Sequence, residues 1–82
     1  MIKVEDIVER YPDEEILIAD GYDDAIIGLE EGTLRVIYSI SKCIEITQGD
    51  DMSYEEASEY FYYNTVGAYV GEQTPIWCDD EF

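Results

Sequence analysis

The sequence predicts an α+β fold, in which a small antiparallel sheet, made of a hairpin and a C-terminal strand, packs against two or three helices. Three observations carry this. The β-rich runs Ala25-Ile26-Ile27-Gly28-Leu29 and Leu34-Arg35-Val36-Ile37-Tyr38 flank Glu30-Glu31-Gly32-Thr33 and read as a hairpin. Ser53 and Glu56 form an S-x-x-E capping box, which opens a helix. Thr74-Pro75 forces an extended entry into the short apolar run Ile76-Trp77-Cys78, because the residue before proline is driven out of the α region.

Taken in chain order, Val4, Ile7, Val8 and Tyr11 lie at i, i+3, i+4 and i+7, which predicts a short helix over 3–11 that Pro12 stops. Ile16-Leu17-Ile18-Ala19 is an apolar run ending at the turn signal Asp20-Gly21, and is either a buried strand or a packed connector. The hairpin follows. Beyond it Val36, Tyr38, Ile40, Ile44 and Ile46 alternate as in a strand, but Lys42 interrupts that face. Ile40, Cys43, Ile44 and Thr47 keep the helical period instead, with Ser39 as N-cap and Gly49 as the stop, so a helix is expected over about 40–48. In the helix opened by Ser53, the expected core face is Ala57, Tyr60, Phe61, Asn64 and Ala68, with Gly67 or Gly71 as its end. Phe61 and Trp77 are the aromatic residues expected in the core.

Composition bounds what such a fold can do. The chain has 82 residues, with 21 Asp or Glu against 4 Lys or Arg, no histidine and a net charge of −17. A surface of that sign repels nucleic acid and anionic membranes, so direct binding to either is excluded. A hydrophobic content of 46% is too high for a disordered acidic tail. The length suits one domain, 1–82. No apolar run approaches the roughly 18 residues of a membrane span, and MIKVEDIVER lacks the blocks of a signal peptide, so a soluble, intracellular protein is expected. Cys43 and Cys78 are far apart in sequence and belong to no C-x-x-C pair, which favours reduced, structural thiols.

The strings DGYDDAIIG at 20–28, RVIYS at 35–39 with Lys42, and MSYEEASEYFYYNTVGAYVGEQTPIW at 52–77 occur in that order. Together they resemble a widespread group of small acidic proteins encoded by bacterial viruses and prophages. The resemblance implies synthesis in an infected bacterial cytoplasm and favours the helix over 40–48. It brings no catalytic residues with it.

Absence of histidine removes the commonest general base and metal ligand, and no catalytic residue, metal or cofactor is expected. Asp20, Asp23 and Asp24 are the best-placed oxygen ligands, yet an EF-hand loop begun at Asp20 puts Tyr22 at its third position and Ala25 where glycine is required, although Glu31 falls at the twelfth. A solvated turn with Asp20 capping backbone amides is the plainer reading. Asn64 is expected to hydrogen bond the Gly71–Thr74 turn. Tyr60, Phe61, Tyr62 and Tyr63 are consecutive, so one helix cannot bury them all, and two are expected at the surface.

Acid density is the main functional clue. Seventeen charges match about 29 Å of duplex at one charge per about 1.7 Å, and a compact chain of this length has a radius of gyration of about 12 Å. The expected function is therefore a non-enzymatic interaction protein that binds a basic host protein surface, with nucleic-acid mimicry or inhibition as one form of it. The binding residues are Glu55, Glu56, Glu59, Tyr62 and Tyr63 on one helix, extended by Asp20, Asp23 and Asp24. The alternative is a homo-oligomeric accessory protein, a homodimer for example, whose tyrosine-rich helix and hairpin edge make self-contacts while its charge serves solubility.

Overall fold

The computed structural model of the chain describes residues 2–67 and 71–82. Helix α1 covers Val4–Arg10, with Glu5 and Asp6 in its first turn, where negative charge suits the helix dipole, and Arg10 in its last. Ile7 is its buried residue. The run Ile16–Ala19 is a connector and forms no strand; Ile16, Ile18 and Ala19 are half-buried against the core. A 3₁₀ turn over Asp23–Ala25 then leads into the hairpin. This region is closed by backbone bonds, Tyr22 N–H to the Ala19 carbonyl at 3.2 Å and Ala25 N–H to the Tyr22 carbonyl at 2.9 Å, rather than by the expected Asp20 side-chain cap.

Strands β1, Ile26–Glu30, and β2, Arg35–Ser39, pair antiparallel with Leu29 opposite Val36 and Glu30 opposite Arg35. The register shifts between Ile26 and Gly28, a bulge at Ile27 that bends β1. The connecting turn is held by the Glu30 carboxylate, which accepts from the Gly32 N–H at 3.0 Å and from both the Thr33 N–H and the Thr33 hydroxyl at 2.6 Å. Those donors, the Thr33 hydroxyl foremost, hold Glu30 below the usual carboxylate range.

Helix α2, Ile40–Gln48, follows β2 without a break. The Ser39 hydroxyl accepts the Lys42 N–H at 3.3 Å as its N-cap, and Gly49 leaves the helix at φ +50°, a conformation that favours glycine. The predicted cap and stop are both as read from the sequence. Ser39 is also buried and hydrogen bonds Asp80 Oδ1 at 2.8 Å, which pins the acidic tail beside the N-terminus of α2.

Helix α3, Tyr54–Phe61, continues into a π turn over Tyr62–Val66 in which the Gly67 N–H reaches back to the Tyr62 carbonyl. Strand β3, Ile76–Cys78, completes a three-stranded sheet of order β1-β2-β3. It pairs parallel to β2, with Ile37 opposite Ile76 and Tyr38 opposite Trp77. The expected antiparallel sheet is therefore a mixed one, because α2 and α3 intervene as a crossover and return the chain in the direction of β2. Arg35 Nε donates to the Thr74 carbonyl at 2.6 Å and so ties the start of β2 to the entry of β3.

The core lies between the sheet and the α2–α3 pair. Val36, Tyr38, Cys43, Ala57 and Phe61 are fully buried. Phe61 sits edge-on to Tyr22 at 5.9 Å and to Trp77 at 5.4 Å, while Trp77 lies 5.3 Å from Tyr38. Phe61 is at the centre of this cluster, as expected, whereas Trp77 is only partly buried and packs against the core as its wall. The Tyr38 hydroxyl accepts the Ala19 N–H at 2.7 Å, so a polar contact fastens the connector to the core. Burial raises Tyr38 above the ordinary phenol range, partly offset by that bond. Burial likewise pushes the Cys43 thiol up to about 12, and both cysteines are free. The resulting body has a radius of gyration of 13.0 Å and measures 40 × 25 × 24 Å.

Candidate interaction surface

The capping box that predicts α3 is present in full. Ser53 Oγ accepts the Glu56 N–H at 3.2 Å, and Glu56 Oε1 accepts the Ser53 N–H at 3.3 Å. Two of the four otherwise unpaired amides at the start of the helix are thereby satisfied. Glu55 and Glu56 occupy the first turn and Glu59 the second, all exposed.

The opposite side of α3 buries Ala57 and Phe61 against the core. Tyr60 and Asn64 do not share that face, contrary to the helical-wheel expectation. Tyr60 is 50% exposed, and Asn64 is exposed with its Nδ2 donating to the Tyr60 carbonyl at 3.1 Å rather than to the Gly71–Thr74 turn. Ala68, the last member of the expected face, lies outside the described residues. The stripe that α3 buries is narrow because Tyr60 points about 100° away from its neighbour Phe61 around the helix axis. Among the four consecutive aromatics, Phe61 alone is buried; Tyr62 is half exposed and Tyr63 is 86% exposed.

Those exposed rings and acids surround an open groove of about 840 Å³, lined by Met52, Glu56, Glu59, Tyr60, Tyr62, Tyr63 and Asn64. Four of the predicted binding residues, Glu56, Glu59, Tyr62 and Tyr63, are thus brought to one place. Glu55 is exposed on the same helix but does not line the groove. Met52, Tyr60 and Asn64 were missed as site residues. The available signal was the spacing of Glu56, Glu59, Tyr60 and Tyr63, the same i, i+3, i+4, i+7 pattern that elsewhere marks a core face.

Asp20 stands apart from Asp23 and Asp24. It borders a smaller cavity of about 330 Å³ walled by Leu17, Tyr22, Pro75 and Trp77, which reaches Asn64 and so adjoins the groove. Asp23 and Asp24 lie in the 3₁₀ turn before β1, and Asp23 is near enough to Tyr38 to oppose its ionisation. Neither lines the groove. Among the described residues no group of carboxylates and thiols is arranged to hold a metal ion, and no helix is long and apolar enough to cross a membrane. Among the described residues, Trp77 Nε1 and Gln73 Oε1 are buried without a hydrogen-bond partner.

Comparison with protein-family models, with curated proteins and with solved structures finds no match.

Proposed function

We propose that this chain is a non-enzymatic, virus-encoded interaction protein that binds a basic surface of a host protein and presents carboxylates where that surface would otherwise meet phosphates. The observation that carries the reading is where the acids stand: every Asp and Glu except the half-buried Glu30 is exposed. With 21 acids and 4 bases, at least 17 of them have no basic residue of the chain to pair with. They cover a body whose long dimension is 40 Å, and 17 phosphates of duplex DNA would extend over about 29 Å. The charge density of the molecule is therefore comparable to that of the polyanion it would replace. The family resemblance in the sequence supports the viral origin.

The test is capture from a bacterial lysate on the immobilised chain, eluted with graded salt, beside a variant carrying Glu55→Gln, Glu56→Gln and Glu59→Gln. Gln at position 56 keeps the capping box, which accepts either residue, so the fold is preserved. Proteins retained by the wild type should be basic, should elute with added salt and should associate more slowly with the variant at low ionic strength. Equal association of both proteins at low salt would remove the α3 strip from the binding face. A homo-oligomeric accessory role is the second reading, favoured by the exposed rings of Tyr54, Tyr60, Tyr62 and Tyr63. A molecular mass that rises with concentration would support it.

A further inference from the structure

We infer that the groove beside α3 is a receptor for an arginine side chain of the partner, held between the tyrosine rings and the two glutamates. The inference rests on the reading of the protein as a binder of basic surfaces and gives that reading a point of attachment. Glu56, Glu59, Tyr60 and Tyr63 fall on one face of the helix and its continuation, so two carboxylates and two rings stand within about two turns of each other. Tyr60 is half exposed and Tyr63 almost wholly so, which leaves ring faces open to a ligand. One Glu56 oxygen is engaged with the Ser53 N–H, while Glu59 has neither oxygen committed to a cap.

That combination selects among ligands. A net charge of −17 repels phosphates and carboxylates, so the occupant is cationic. A second copy of the chain brings the same net charge and is disfavoured on the same ground. Among cations, a guanidinium is planar, stacks on aromatic faces and forms paired hydrogen bonds to a carboxylate, and it is more weakly hydrated than an ammonium. The groove offers both kinds of contact side by side. Met52 at its wall supplies a soft apolar surface for the three methylenes of the stem.

The experiment is an NMR titration of the full isotope-labelled chain, at physiological salt, with two capped Gly/Ser peptides that differ only in a single central Arg or Lys. Amide shifts should concentrate in residues 52–64, and the arginine peptide should bind several-fold more tightly. Removing both rings, Tyr60→Ala with Tyr63→Ala, should weaken the arginine peptide by roughly two- to fivefold per ring and abolish the preference over lysine. Tyr60→Phe with Tyr63→Phe should retain the preference, which a merely structural role for the hydroxyls would not predict. Equal affinities for the two peptides, or shifts spread evenly over Asp13–Glu15, Asp50–Asp51 and Asp79–Glu81, would overturn the proposal. Lysate capture separates the two readings: salt-sensitive capture that survives the double Ala variant unchanged removes the groove and leaves the acidic surface. An arginine preference with no basic protein captured removes the partner reading and leaves the groove.

Discussion

Aromatic rings stand on both sides of α3, and they behave in opposite ways. On the inner side Phe61 contacts the rings of Tyr22 and Trp77, and Tyr38 spends its hydroxyl on the Ala19 N–H. On the outer side Tyr60 and Tyr63 have their rings open to solvent and stand beside Glu56 and Glu59. Residue type does not distinguish these regions; angular position on the helix and the element packed opposite do. α2 packs against α3 and the sheet closes over Phe61, while no described element covers the 56–59–60–63 face, whose four residues are exposed. An aromatic stripe at helical spacing is therefore a core only where a second layer meets it.

The comparison breaks most sharply at Phe61. Phe61→Ala should cost about 3–5 kcal/mol, because the cavity would sit at the centre of the aromatic cluster, and denaturant unfolding monitored by Trp77 fluorescence measures it. Near-wild-type stability would mean that the inner side is not the core. Next in size is Tyr38→Phe, which keeps the ring and orphans the Ala19 N–H; a loss of about 1–3 kcal/mol is expected, together with faster hydrogen exchange at Ala19. Ser53→Ala tests the start of the helix that separates the two sides, and thermal unfolding should show a loss of about 1 kcal/mol.

Glu30→Gln should have a smaller effect, and one that depends on pH. The folded-state pKa of Glu30 is lowered by Thr33 and Gly32, so the ionised form is favoured in the native state. Its contribution is complete above the ordinary glutamate range and disappears as pH falls through the lowered folded value. The gap in melting temperature between wild type and variant should accordingly be present at pH 7 and close on acidification; a gap that widened in acid would contradict the assignment. Smallest of all should be Tyr63→Ala, within about 0.5 kcal/mol of wild type in the same unfolding assay. A larger loss would show that the outer ring also packs.

How much of this was readable in advance depends on the range of the interaction concerned. The Ser39 cap of α2, the Gly49 exit, the Ser53–Glu56 box and the hairpin turn each involve groups within about four residues of one another. Neighbours of that kind are present in any conformation the chain samples, so the sequence alone determined them, as it determined the sign and size of the charge. The direction of β3 was settled by where α2 and α3 return the chain, and the free edge of β2 accepts a strand of either sense. The spacing that groups Tyr60 with Glu56, Glu59 and Tyr63 does not by itself mark exposure, since a tyrosine serves equally well in a core or at a surface. Asn64 belongs with the local contacts, since its acceptor is the Tyr60 carbonyl one turn back. Asp80 looked like part of a solvated tail, and only the approach of the C-terminus to the buried Ser39 hydroxyl gave it a partner. Tertiary structure decided the direction of β3, the exposure of Tyr60 and the partner of Asp80, because each depends on which surfaces are brought together across distant parts of the chain, and on which face of a helix no second layer covers.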